Sequence, residues 1–427
     1  MLDWLRSAGA AGLLIAVLAM PPPVRAVNAG DAALTLAGAV ARALDASPRL
    51  AVFPYALRAA DAERAQAALR PNPTVSLRLE DVAGTGRVRG LRGVEATLML
   101  SQVLELGHKR RRREAVAART RTLTAADYAI ARLDVLAEVA RRTVHVARDQ
   151  ALLDIAAKAA SLARANRAAV ARRVDAARSS TAELNRAEIE LARARLAREH
   201  REHELAAARR RLAASWGAET VDFAQVDADL DTLPETRALD ALLDELRTSP
   251  DLARFIDERR LREAELALAE ARAVPDATLG LGLRRLEGID EQALMLSFSM
   301  ALPVFDRNQG NIAAAQARRR RVDIEATAAY VEAQALVFGT FQELSHARTA
   351  LDALASTIVP QAIEALAAYE AGYAEGRFSY LEVAAARREL ISLETERVMA
   401  AASYHTFLIE LERLTGLALG VTEDAPR

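Results

Sequence analysis

Few side chains in this chain have both the chemistry and the spacing to react with or hold a ligand. His200 and His203 stand three apart in a helical stretch, near enough on one face to share a metal ion. An isolated pair of this kind is ordinarily two solvated rings, and that is the reading preferred here. His145, His346 and His405 are scattered, the six methionines form no soft-metal ladder, and there is no cysteine to supply a thiolate. No nucleophile sits beside a base, no glycine-rich phosphate loop occurs, and no carboxylate pair has an assignable task. The expectation is therefore a protein that is not an enzyme and carries no cofactor and no metal.

The basic runs admit a second chemistry. His108 to Arg113, Arg209 to Arg211 and Arg318 to Arg321 could each meet a polyanion, but a formal net charge of −1 gives no overall reason to expect nucleic acid. The N-terminus argues further against it. Arg6 precedes an apolar run from Ala8 to Met20, and Val24-Arg25-Ala26 fits the −3 to −1 positions of a secretory cleavage site. Residues 1–26 are read as a signal peptide, too short in its apolar part to span a membrane. No later segment reads as a membrane-spanning helix. For an exported chain, Arg209 to Arg211 and Arg318 to Arg321 are expected on solvated helix faces paired with nearby Glu. His108 to Arg113 is expected to face anionic headgroups.

The elements that carry these residues occur twice. Leu44, Ser47, Pro48 and Leu50 recur as Leu246, Ser249, Pro250 and Leu252; Thr74, Leu77 and Leu79 as Thr278, Leu281 and Leu283; Ser180 and Glu183 as Ser379 and Glu382; Gly217 as Gly416. A period so long marks a duplicated half-protein rather than a solenoid. Between Gly107 and Gly217 there is neither glycine nor proline in a stretch rich in Ala, Arg, Leu and Glu, which predicts helix. At 1.5 Å per residue, an arm from Lys109 to Asp175 is roughly 100 Å long. In the second copy Val337, Phe341, Leu344, Leu351, Leu354 and Ile358 trace the seam of a left-handed coiled coil, and Pro360 is expected to kink that arm without ending it.

Each copy also holds two period-2 segments. Val75, Leu77 and Leu79 alternate with polar residues, as do Leu98 and Leu100, then Leu279, Leu281 and Leu283, then Leu294, Leu296 and Phe298. Their length suits tilted strands crossing an outer membrane, apolar side outward. Four strands cannot close a barrel, and open edges are not tolerated in lipid. The fold class expected is mainly α with a small β part: duplicated long helical hairpins forming an α-barrel, plus four transmembrane β-strands per chain that make a 12-stranded barrel as a homotrimer. The first repeat is placed at 27–217, with strands near 73–82 and 94–104 and a hairpin over 108–216 turning near 175–181. A linker follows at 218–236. The second repeat covers 237–416, with strands near 277–285 and 292–302 and a hairpin over 310–416 turning near 374–380, leaving a tail at 417–427.

Three stretches give the chain a familiar look: Glu105-Leu106-Gly107-His108-Lys109-Arg110, Leu302-Pro303-Val304-Phe305-Asp306-Arg307-Asn308-Gln309-Gly310-Asn311-Ile312, and the tip from Tyr369 to Glu382. They resemble the outer membrane factors, the TolC-like efflux family, and within it the cation-efflux branch of CzcC and CusC. The first stretch departs by carrying His108 where that branch usually has Gly. The resemblance implies a passive outer-membrane exit duct reaching into the periplasm, docked on a periplasmic adaptor and an inner-membrane RND-type pump, with heavy-metal cations as cargo. It implies a periplasmic gate at Tyr373, Arg377 and Glu382, the last forming an acidic ring, while Ala385 stands where a second acid is often found. The exposed tips Ala177, Arg178, Ser179 and Ser180, with Gly376, Arg377, Phe378 and Ser379, are the adaptor-docking candidates. A drug-efflux or protein-secretion duct of the same fold is the alternative; a periplasmic adaptor or a structural coiled coil would leave the second hairpin or the alternating segments without purpose.

Overall fold

The computed structural model describes residues 33–416. The signal peptide and the tail expected at 1–26 and 417–427 lie outside the described residues. The first copy runs β1 (Leu34–Thr35), α1 (Leu36–Ala46), α2 (Pro48–Ala51), α3 (Phe53–Ala67), β2 (Thr74–Glu80), β3 (Glu95–Leu104), α4 (Lys109–Asp175) and α5 (Thr181–Ala213). After β4 (Val226–Asp227) the second copy runs α6 (Leu239–Leu246), α7 (Pro250–Arg272), β5 (Ala277–Leu286), β6 (Glu291–Met300), α8 (Gln309–Ala353), α9 (Val359–Ala374) and α10 (Tyr380–Thr415).

The long helices begin and end for local reasons that the two copies share. Ser180 and Ser379 have extended backbones, and their hydroxyls accept from the amides of Glu183 and Glu382, capping α5 and α10. Gly416 terminates α10, and Gly217 ends the 3₁₀ turn Ala214–Trp216 that follows α5, both at φ 74, the left-handed region. Gly416 is also fixed by contact: a Cβ there would stand 2.4 Å from Pro250 Cδ, while one on Gly217 would stand 3.1 Å from Pro48 Cγ. The starts of α4 and α8 match as well, with His108 and Asn308 both at φ 60. Asn and His are both among the residues enriched in that region, so His108 holds the same backbone turn as its counterpart Asn308. Asn308 is further held by Nδ2 donating to the Ala269 carbonyl at 2.6 Å and by its amide donating to Asp306 Oδ1 at 2.8 Å.

The sheet has the order β2-β3-β5-β6, antiparallel throughout, so the two hairpins join where β3 meets β5. One face carries the leucines. Val75, Leu77, Leu98, Leu100, Leu281, Leu283, Leu294 and Phe298 are exposed there, and Leu296 is 80% exposed, a degree of apolar exposure that water does not favour. The opposite face is polar and tight: Arg284 donates to Glu95 at 3.1 Å and to Thr97 at 3.2 Å. Gly280 and Gly282 make that face concave, since added Cβ atoms would fall 2.3 Å from Ser297 Oγ and 2.6 Å from the Leu98 carbonyl. Among the described residues β2 and β6 have no outer partner, so both edges of the sheet are open.

Midway along the helices a belt of irregular chain binds the copies together. β1 pairs in parallel with β4, and the Gln150 amide clamps β4 onto α4 by accepting from the Val226 amide at 2.8 Å and donating to its carbonyl at 3.2 Å. The chain then crosses α10, where Tyr404 donates to the Pro234 carbonyl at 2.5 Å and Arg397 to Asp231 at 2.8 Å. Arg413 on α10 reaches Asp134 on α4 at 2.6 Å and Asp251 on α7 at 2.5 Å. Under this belt lie two apolar cores, one around Val139, Val146, Leu212 and Trp216, the other around Leu246, Val337, Leu344 and Tyr404.

Several sequence expectations need correction. Val337, Leu344, Leu351 and Leu354 are buried along the predicted seam, but Ile358 is 39% exposed. A π-helical turn at Leu354–Ile358 inserts just before Pro360, absorbs the missing proline amide, and rotates the stripe out of register. The helix through Gln309–Ala374 proves long and apolar enough to cross a membrane by length and composition, although only 11% of its most apolar 18-residue stretch is buried in the chain. The basic run is not wholly presented to headgroups: Lys109 is buried against Asp276 at 2.7 Å and Arg113 pairs with Glu105, leaving Arg111 and Arg112 exposed. Arg319 and Arg321 do pair, with Glu263 and Glu325. Arg209 does not: among the described residues it meets no carboxylate, its Nε is buried, and burial lowers its pKa.

Candidate functional site

The tips of the two hairpins lie side by side, and the residues nominated from sequence divide there into three groups. Ala177 (φ 56) and Gly376 (φ 80) turn the two chains, and both are exposed. Arg178, Ser180, Arg377 and Ser379 are exposed beside them, and Ser179 is half-buried with its hydroxyl on Glu183. Phe378 is not a free aromatic. Its ring lies 4.9 Å from that of Tyr369 and fills the space over Gly372, where a Cβ would come within 2.3 Å of it.

Glu382 is exposed and sits at the third position of α10. Its carboxylate accepts from the Ser379 amide at 2.8 Å and from the hydroxyl at 2.9 Å, completing a reciprocal capping box. Those Ser379 hydrogen bonds, the backbone one foremost, lower its pKa. The nearby arginines are engaged elsewhere, Arg377 with Glu375 at 2.5 Å and Arg387 with Glu370 at 2.6 Å. Glu382 therefore keeps an unneutralised negative charge at the end of its helix.

Tyr373 is half-buried with its ring under the Arg173 guanidinium, 4.8 Å away, and edge-on to Tyr380 at 6.4 Å. Its Oη is buried without a hydrogen-bond partner.

Beneath it lies a connection that sequence reasoning did not find. Tyr380, 4% exposed, donates to Glu190 Oε2 at 2.6 Å and accepts from Asn166 Nδ2 at 2.7 Å. Glu190 also receives Arg388 at 3.0 Å. Burial and the Glu190 hydrogen bond push the Tyr380 pKa above its ordinary value, so the phenol stays a neutral donor. Val170, Ala187 and Ala384 pack round this cluster. Its members come from α4, α5 and α10, so it fastens one hairpin to the other just above the tips. The only signal available in sequence was the place of Tyr380 inside the tip motif, because its partners lie about 190 and 214 positions away.

Among the described residues no group of three or more His, Cys, Asp or Glu side chains could hold a metal ion. His200 and His203 are 69% and 77% exposed, and their rings face Glu204 and Glu199 respectively.

A protomer with an apolar-faced, open-edged sheet leading into paired helical hairpins is a piece of an outer-membrane channel, and comparison with known proteins agrees. Residues 242–417 match the family described as Outer membrane efflux protein. It is 29% identical over 383 residues, 90% of both chains, to the cobalt-zinc-cadmium resistance protein CzcC of Cupriavidus metallidurans. It is 28% identical over 299 residues, 67% of this chain and 70% of the relative, to the nickel and cobalt resistance protein CnrC of the same organism. Among solved structures it superposes on CusC with a TM-score of 0.75 at 18% identity, covering 90% of this chain and 92% of that one. The chain is thus an outer membrane factor of the CzcC/CusC type, located in the outer membrane and extending into the periplasm. The family consists of channels, which are non-catalytic in general.

Proposed function

We propose that three copies of this chain form the passive exit duct of a tripartite efflux system for heavy-metal cations. The observation that carries the reading is the four-stranded sheet, apolar outside and polar inside, with both edges unpaired. Its strands alternate in direction, so β6 of one copy can continue antiparallel onto β2 of the next, and three copies close a 12-stranded barrel. A sparsely buried apolar stretch of 18 residues within the helix through Gln309–Ala374 supports the same assembly, because neighbouring arms would cover it. Below the barrel the hairpins make a tunnel wall that a pump can feed through an adaptor seated on the exposed tips. The gate reading places three copies of Tyr373, Arg377 and Glu382 around the periplasmic mouth, where unneutralised carboxylates concentrate cations by field focusing.

The cargo comes from the curated relatives, both metal-resistance proteins, since a fold shared at 18% identity does not choose a substrate. The test is deletion and plasmid complementation of this chain alone, reading growth and cell-associated zinc, cobalt and cadmium. Loss of tolerance restored by the full chain is expected. Unchanged metal tolerance with new sensitivity to organic drugs would overturn the cargo while keeping the duct.

A further inference from the structure

The outer end of the sheet carries a basic groove that conduction does not use. Ala96 and Arg285 pair across β3 and β5 and, by strand alternation, stand on the same face as Leu98 and Leu283, which pair two residues nearer the helices. That is the lipid-facing side, and Arg285 shares its row with Leu79 at the outer border of the leucine band, one row beyond Leu283. The chain between β2 and β3 folds back over this spot. Val88 is wedged between Gly84 and Gly93, where added Cβ atoms would come within 2.4 and 2.6 Å of it, and the Glu287 amide donates to the Val94 carbonyl at 3.1 Å.

The two turns together enclose an open groove of about 710 Å³ lined by Arg89, Leu91, Arg92, Ala96 and Arg285. Arg89 and Arg92 are exposed, and among the described residues neither forms an ion pair; Leu91 between them is 70% exposed. Glu287, also on the rim, is engaged by Arg285 at 3.3 Å.

Two unengaged guanidiniums flanking an apolar strip, directly above a band of lipid-facing leucines, are complementary to a molecule that is anionic at one end and acylated at the other. We propose that this groove binds a phosphorylated glycolipid of the outer leaflet, with Arg89 and Arg92 on its phosphates and Leu91 and Ala96 beside its acyl chains. Arginine suits the task because its planar fork matches phosphate oxygens pairwise. The groove lies over β3 and β5, away from the open edges, so assembly leaves it accessible.

The experiment uses the full assembled protein in phosphatidylcholine nanodiscs, titrated with bisphosphorylated lipid A and with the same lipid after phosphate removal. Native mass spectrometry counts the retained lipid. Wild-type protein is expected to retain lipid A about tenfold more tightly than the dephosphorylated form, and R89Q/R92Q to lose about tenfold. R89K/R92K, which keeps the charge but loses the planar fork, is expected to retain lipid A at a level between wild type and R89Q/R92Q, and separates a lost site from a disturbed loop. Equal retention by wild type and R89Q/R92Q, or by the two lipids, overturns the proposal. Displacement by millimolar inorganic phosphate would reduce it to an anion site and overturn the lipid assignment. None of these readouts involves efflux, so failure here and failure of the duct reading are distinguishable.

Discussion

Replacing Tyr380 with Phe keeps the ring that packs on Ala187 and removes only the hydroxyl. Two hydrogen bonds go with it, the 2.6 Å bond to Glu190 and the 2.7 Å bond from Asn166. A bond to an ionised carboxylate contributes about 1.5–3 kcal/mol and a neutral one about 1 kcal/mol. Glu190 keeps its 3.0 Å contact with Arg388, so the substitution does not leave a bare carboxylate. If outward movement of the second hairpin breaks this connection, Tyr380→Phe destabilises the closed arrangement by about 2.5–4 kcal/mol per protomer, or roughly 70- to 900-fold in the closed-to-open ratio. The assay is single-channel recording in planar bilayers, with Glu190→Gln and the double substitution completing a cycle that isolates the pair. A higher open probability for Tyr380→Phe, with less than additive effects in the double variant, is expected. Open probability and conductance equal to wild type in both single variants would refute the cluster as a fastening of the gate.

Glu382 serves as both cap and charge, and substitutions can separate the two: Glu382→Gln, which keeps an acceptor, should reduce cation selectivity in the same bilayers while leaving the melting temperature nearly unchanged, whereas Glu382→Ala, which removes half of the capping box, should also lower the melting temperature. Gly416→Ala should destabilise by at least the 1–2 kcal/mol of a left-handed alanine, and by more than Gly217→Ala, because its Cβ would meet Pro250 at 2.4 Å; thermal unfolding of both variants tests the order. His108→Asn should stabilise by a few tenths to about 1 kcal/mol, since φ 60 suits Asn, as Asn308 already shows in the second copy. Burial raises the pKa of Glu412 to about 7 against the opposing effect of Arg237. The folded state therefore holds a proton that the unfolded chain releases, and stability falls as pH rises from about 4.5 to 7. Glu412→Gln should flatten that fall and raise the melting temperature at pH 8.

The fold was legible because its signals are long and repeated. An uninterrupted Ala-rich stretch and four alternating segments each speak for themselves, and the duplication lets one copy check the other. The site was less legible. Tyr373, Arg377 and Glu382 could be nominated through family resemblance, but the partners of Arg377 and Arg387 depend on which rotamers reach across a turn, and Glu375 and Glu370 carried no mark. Tyr380, Glu190 and Asn166 meet only after two hairpins lie side by side, which no local periodicity records. The π-helical turn escaped for a related reason: Pro360 announces a disturbance, yet a proline is compatible both with a bent helix and with one that takes in an extra residue.

The unpaired borders of β2 and β6 have a genetic consequence. A barrel assembled from thirds cannot be repaired by its sound members, since each seam needs two competent neighbours. In a cell making equal amounts of an intact chain and one with a damaged border strand, random mixing leaves roughly one assembly in eight free of defective subunits. Border-strand lesions should therefore behave as dominant inhibitors of the intact copy, whereas lesions that prevent the chain from reaching the membrane should be recessive.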